Sequence, residues 1–190
     1  MDVERGARAK VIEILGPFFT CYEEVNLVTR SGDKVRAGVL AVSLENCSKP
    51  LVFAIEVESH ANDEPGKFKD TVFQASSYVQ ASVAPKAHTD LLVLKIDAAL
   101  VFPAPGYQWY GNRSENDGRE FIPTGIAFLA ERWNVGRLVE RKNDWEIVFG
   151  TNDAWSKNKG WMGDAKSRVP SNGIRTNLDL EHHDYGPFGG

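Results

Sequence analysis

The chain has 190 residues, 42% of them hydrophobic and 25% charged, the proportions of one globular domain able to bury its own core rather than of a disordered or fibrous chain. A formal net charge of −4 and a sequence pI near 5.6 exclude a global attraction to nucleic acid or to an anionic membrane, so any phosphate binding must come from local patches. Cys21 and Cys47 share no metal-ligand spacing, and no signal peptide or apolar run of about 18 residues appears, which leads to the expectation of reduced thiols and an intracellular, cytoplasmic protein away from membranes.

Val3, Ala7, Val11, Ile12 and Leu15 recur at helical spacing until Gly16-Pro17 interrupts them, which predicts an amphipathic helix over residues 3 to 15 with Glu13 on its last turn. Residues 22 to 29 then alternate as a strand, Ser31-Gly32-Asp33 makes a turn, and residues 34 to 44 form the second arm of a hairpin. After a segment of turn composition, residues 51 to 59 are apolar enough for a strand buried on both faces in the middle of a sheet. A polar loop over residues 60 to 66 precedes a helical pattern over 67 to 82, which Pro85 terminates. Residues 91 to 96 read as the next strand, and strand, crossover helix and strand imply a parallel pair.

Residues 102 to 116 are rich in Pro, Gly and aromatics and read as a loop, 121 to 135 as a helix or a helix followed by a strand, and 136 to 149 as a hairpin turning at Lys142-Asn143-Asp144. From Thr151 onward Gly, Asn, Ser and charge dominate with little periodicity, and such a segment cannot bury enough apolar area to order itself alone. One α/β domain over residues 1 to 150 and a C-terminal extension over 151 to 190, able to wrap the core, are therefore expected.

The buried strand ends in two carboxylates, Glu56 and Glu58, two residues apart and hence on one face. At a separation of about 6.5 Å and an effective dielectric near 20, two bare charges there repel by about 2 to 3 kcal/mol, which a divalent cation would relieve most directly. The alternative is a solvated strand end, where screening reduces the repulsion to well under about 1 kcal/mol. On the following helix Gln74 and Tyr78 stand one turn apart. They either orient a water or a phosphate oxygen, or form a packing pair in which a buried Tyr hydroxyl bonds the Gln amide.

This order, with a strand ending in Glu-x-Glu after a hairpin and a helix carrying Gln-x-x-x-Tyr, resembles the PD-(D/E)XK nuclease superfamily over roughly residues 3 to 97. The resemblance implies a restriction-endonuclease-like core in a mixed central sheet: helix, three-stranded antiparallel meander, helix, strand. It also implies that Glu56 takes the place of the metal-binding Glu, that Glu58 falls where a Lys usually stands, and that Gln74 and Tyr78 match a pattern of several branches. Two departures accompany it. Gly38 stands where the pattern would put the metal Asp, which leaves a pseudo-enzyme, a site completed by Glu24, Glu13 or Asp33, or an altered sequence as competing explanations. Glu58 cannot stabilise an attacking hydroxide or a pentacoordinate phosphate as a Lys would, so Lys67 or Lys69, from the first turn of the helix, is the candidate replacement; a solvated face is the alternative for both.

The expected function is hydrolysis of DNA or RNA phosphodiesters with Mg²⁺ or Mn²⁺, held by Glu56, Glu58 and Glu24, with Gln74, Tyr78 and Lys69 assisting. The competing class is a non-catalytic module of the same fold that binds nucleic acid or a protein partner, and a homodimer is left open. Weaker candidates are His60 in the polar loop, the His182-His183 pair in the tail, and Lys157, Lys159, Lys166, Arg168 and Arg175 interleaved with Trp155 and Trp161, suited to phosphate contact plus base stacking or else to a solvated tail. Exposed aromatics around Tyr107, Trp109 and Tyr110 would suit a subunit of a larger assembly, or equally burial under the C-terminal segment.

Overall fold

The computed structural model describes residues 3–43, 50–59, 65–79, 81–85, 91, 94–103, 135–141, 144–149, 160–163 and 173–176. Among these, helix α1 (Val3–Leu15) is followed by strands β1 (Phe19–Val28), β2 (Lys34–Ser43) and β3 (Val52–Val57), helix α2 (Pro65–Tyr78), and strands β4 (Ser82–Val83), β5 (Ala98–Phe102), β6 (Val135–Arg141), β7 (Asp144–Phe149), β8 (Gly160–Gly163) and β9 (Gly173–Thr176). The strands form one mixed sheet in the order β4-β1-β2-β3-β5-β6-β7-β9-β8, so the chain is an α/β protein. No helix among the described residues is long and apolar enough to cross a membrane.

Each helix covers one face of the sheet. Val11, Ile14 and Leu15 of α1 pack with Phe19, Val39, Phe53, Ile55 and Leu100 on one side, while Val72, Ala75 and Tyr78 of α2 pack with Leu40, Val52, Ala54 and Val101 on the other. All six residues of β3 are buried, as a strand with a helix on each face and a neighbour on each edge requires. The turn between β1 and β2 closes through Gly32 N–H to Thr29 C=O, with Gly32 at φ 90°, a conformation that costs a glycine little.

β1, β2 and β3 form an antiparallel meander, and β3 then pairs in parallel with β5. The parallel partner is Ala98–Phe102, not residues 91 to 96. Both runs are apolar, and periodicity alone cannot rank them. Asp97 separates them: its carboxylate accepts the Val52 N–H at 2.8 Å and its own N–H donates to Val52 C=O at 2.9 Å, setting the strand entry just after it. Leu91 and Ile96 serve as side-chain packing beside α2 instead. The second helix also starts earlier and ends earlier than its pattern suggested, leaving Ser82 and Val83 to pair with β1.

The predicted hairpin of residues 136 to 149 is present as β6 and β7, which add to β5 in parallel through Ala99, Leu100 and Val101. After Thr151, where composition could not order a segment alone, two short strands form against the rest of the sheet. β9 lies parallel to β7 and carries β8 on its outer edge, with Ile174 and Thr176 buried. Four-residue strands gain order here because β7 already offers a row of unpaired backbone donors and acceptors and an apolar face. The segments around Tyr107, the residues 121–134, His60, His182-His183, Trp155, Lys157, Lys159, Lys166 and Arg168 lie outside the described residues.

Candidate functional site at the end of the third strand

Glu56 is the penultimate residue of β3 and points toward α2, since its neighbours Ile55 and Val57 belong to the opposite core. Only 7% of it is exposed. Helix α2 meets it with one stripe of side chains at positions 71, 74 and 78, spaced three and four apart. Tyr78, fully buried, places its hydroxyl in hydrogen-bond contact with Glu56 Oε2 and with the Arg36 carbonyl at 2.8 Å, while Gln74 Nε2 donates to Tyr78 Oη at 3.0 Å. One turn earlier, the Thr71 hydroxyl faces Glu58 Oε1 at 3.2 Å and the Lys67 carbonyl at 2.9 Å. The backbone N–H of Glu58 donates to Phe102 C=O at 2.8 Å, so β5 fixes the strand end from the other side.

Glu56, Tyr78 and the Arg36 carbonyl share few protons. Tyr78 has one hydroxyl proton and two acceptors in reach, Glu56 and the Arg36 carbonyl. When Glu56 carries a proton, it donates to Tyr78 Oη, Tyr78 donates to Arg36 C=O, and all are satisfied. When Glu56 is ionised, the one Tyr78 proton has to serve both. Burial works in the same direction and is the largest effect, pushing Glu56 up to about 7; the Tyr78 hydrogen bond opposes it, and the charges of Glu58 and Glu4 add to it while Arg36 subtracts. Burial and then the Glu56 charge push the Tyr78 hydroxyl upward, so it stays neutral. A carboxyl group that exchanges its proton near neutrality, with polar side chains held around it, can act as an acid, a base or an anionic ligand.

The sheet breaks its alternation beside this point. On β1, Phe19 and Cys21 face the α1 side, yet Val25 and Leu27 face the α2 side; on β2, Val39 and Ala41 face α1, yet Ala37 and Val35 face α2. The switch occurs at Glu24, whose φ is 50°, and at Gly38, which lies between Ala37 and Val39 and opposite Glu24 in the ladder. Continuing the β2–β3 register by one pair sets Gly38 opposite Glu56. A Cβ on Gly38 would stand 3.1 Å from Val57 Cγ2 and 3.4 Å from the Ile55 carbonyl, so close strand packing accounts for a residue without a side chain.

The sequence-nominated residues divide accordingly. Glu56, Glu58, Gln74 and Tyr78 come together. Glu24 does not join them: half-exposed, it pairs with Arg8 Nη1 at 3.3 Å, and among the described residues no group of three or more acidic, His or Cys side chains is arranged to hold a metal ion. Lys69 lies on the opposite side of α2, its Nζ 5.8 Å from the Phe73 ring centroid, because two residues of helix turn it about 200° away from the Lys67 direction. Glu13 pairs with Lys10 at 3.0 Å and Asp33 closes the hairpin turn through Ser31. Cys21 is a half-buried thiol pushed up to about 11 by burial, hence inert at neutral pH.

Three participants were missed by sequence reasoning. Arg8 is buried among Glu4, Glu23 and Glu24, at 2.6, 3.6 and 3.3 Å, and ties α1 to the kinked part of β1. Its signal was available, since it occupies the apolar stripe of α1 with Val11 and Leu15. Thr71 had a comparable signal, at helical spacing from Gln74 and Tyr78. Arg36 had none, because its role depends on a backbone carbonyl and on the strand kink. No protein-family model matches the chain, and neither does a curated protein or a solved structure.

Proposed function

We propose that the chain is a restriction-endonuclease-like protein of the PD-(D/E)XK superfamily that hydrolyses phosphodiester bonds of DNA or RNA with Mg²⁺ or Mn²⁺. The observation that carries this reading is the buried Glu56 at the end of a central strand, held by Tyr78 of the next helix, which Gln74 holds in turn, with Glu58 on the same side. The meander followed by a parallel strand supports the same reading, because it agrees in order with the expected core. Structural needs alone do not explain Glu56, since a buried carboxyl group contributes little that an apolar side chain would not.

The donor set fits a hard cation. Mg²⁺ is commonly held by one or two carboxylates, keeps several waters and takes further oxygens from substrate phosphates, so Glu56 and Glu58 suffice without Glu24. Such an ion, when bound, polarises a phosphoryl oxygen and acidifies a bound water. Glu56 becomes the anionic ligand by releasing its proton near neutral pH. Tyr78 then donates to the ionised Glu56, Gln74 holds Tyr78 Oη, and Thr71 orients Glu58. The test is cleavage of labelled DNA and RNA with Mn²⁺, with Mg²⁺ and with EDTA: the wild-type chain is expected to cut one of them only with metal, and Glu56→Gln to lose at least about 100-fold of that rate. Equal cutting by both chains would refute it.

One observation favours a second reading, a non-catalytic module of this fold that binds nucleic acid. Gly38 supplies no carboxylate where the superfamily pattern has its Asp, and Val57 closes the space a Cβ would need. Under that reading the wild-type chain binds the same nucleic acid and does not cut it with either metal.

A further inference from the structure

Resting on the nucleic-acid reading, we infer that Arg137 holds the substrate's phosphodiester for the centre formed by Glu56 and Glu58. The ladder carries the row of Glu56 onward across the sheet: Glu56 pairs with Val101 of β5, and Val101 with Arg137 of β6. All three face α2, since Val101 and Val135 pack on that side while Leu138, next after Arg137, packs on the other. Two strand spacings, about 9.6 Å, separate the Glu56 and Arg137 backbones, with the shorter Val101 between them. One pleat further along the same face stand Glu58 and Val139, both half-buried where Glu56 and Arg137 are buried. The buried row thus gives way to solvent at the carboxyl ends of β3 and β5, where open α/β sheets bind their ligands.

Burial makes Arg137 a residue to be explained. Its exposure is 4%, and a guanidinium is almost never fully buried unless it is paired. Glu146, also buried, stands opposite Val139 and so diagonal to Arg137 on the same face, because Trp145, Ile147 and Phe149 take the α1 side. Opposite charges at that spacing offset the cost of burial, yet they do not explain the place. Among the described residues six polar or charged side chains are buried, and four of them, Glu56, Thr71, Arg137 and Glu146, lie on the α2 side at this one end of the sheet. Apolar side chains of similar volume would serve stability as well. Two carboxylates repel a phosphodiester, whereas a cation fixed across the row from them attracts it and keeps it beside the carboxylate end of β3. The planar fork of an arginine suits phosphate oxygens. Arg137 stands on the face of Glu56 to use it, while Lys69 is turned away on α2.

The experiment is an anisotropy titration of a labelled single-stranded oligonucleotide across a salt series in EDTA, so that no metal-dependent cutting interferes. Wild type is compared with Arg137→Lys and with the double variant Arg137→Gln/Glu146→Gln, which removes a buried cation and a buried anion together and leaves the net charge unchanged. The double variant is expected to bind roughly tenfold more weakly at low salt and to lower the slope of log affinity against log salt by about 0.7, the loss of one phosphate contact. Arg137→Lys is expected to keep the slope and lose affinity severalfold, because a point charge replaces the fork. Calorimetric titration with Mn²⁺ is expected to give the wild-type isotherm in the double variant, and a weakened isotherm would make Arg137 a support of the carboxylates instead. Wild-type affinity and slope in the folded double variant would overturn the role of Arg137 and leave the nucleic-acid reading standing. Where the double variant does not fold, wild-type affinity in Arg137→Lys would overturn it equally. Failure of the wild-type chain to bind the oligonucleotide would overturn both.

Discussion

A proton on Glu56 completes the hydrogen bonding of Tyr78 and the Arg36 carbonyl at once, and its loss is resisted by burial. This gives the residue a stability signature independent of any ligand. The unfolded chain releases the Glu56 proton near the ordinary value of 4.5, the folded chain only near about 7, so the folded state binds more protons across that window. Stability from this group is therefore full below pH about 4.5, declines as pH rises through about 7, and is flat above it, a loss on the order of 3 kcal/mol. Glu56→Gln keeps the shape and, through its amide N–H, a donor to Tyr78 Oη while removing the ionisation. Urea unfolding between pH 4 and pH 8.5 is expected to show the decline in wild type and a markedly flatter profile in the variant, and parallel profiles would mean that Glu56 is not held neutral. Glu56 was legible in the sequence because an apolar strand ending in carboxylates is anomalous. Its raised proton affinity was not, because it depends first on the burial that packing against α2 imposes.

The elements explain why Gly38 stands where it does. Strands β1 and β2 both change faces at one level, and β3 passes close enough there that Val57 and the Ile55 carbonyl fill the space a side chain would take. Replacing glycine by alanine in a strand gains about 0.5 to 1 kcal/mol, whereas overpacking a well-filled core typically costs about 1 to 3 kcal/mol. Overpacking wins. Gly38→Ala is expected to destabilise by about 1 kcal/mol, and a double-mutant cycle with Val57→Ala to show favourable coupling of at least about 0.5 kcal/mol. Strict additivity would mean that the contact is not limiting. The sequence marked Gly38 as the place where the resembled pattern has its Asp, and the face switch there was hidden, because the apolar run Val39–Val42 fits either face. The same ambiguity moved the parallel strand from residues 91 to 96 onto Ala98–Phe102, where Asp97, invisible as a signal, sets the entry.

On the scale of the whole molecule, the sheet places a two-carboxylate centre beside α2, while the C-terminal strands lengthen the far edge. That extension escaped the sequence reading because its order is borrowed from β7 rather than carried by its own apolar pattern. The order of helix, antiparallel meander and second helix was legible, since it rests on long periodic segments. The way Arg8 gathers Glu4, Glu23 and Glu24, and so keeps Glu24 apart from Glu56 and Glu58, was not, since it joins residues from two elements. The proposal of a metal-dependent phosphodiesterase therefore stands on Glu56 and Glu58 alone. Calorimetric titration with Mn²⁺ at pH 8, where Glu56 is ionised, tests it most directly. The expected result is one site in the wild-type chain, weakened at least about tenfold in Glu56→Gln under conditions where both chains are folded; identical isotherms, or no binding by either chain, would contradict it.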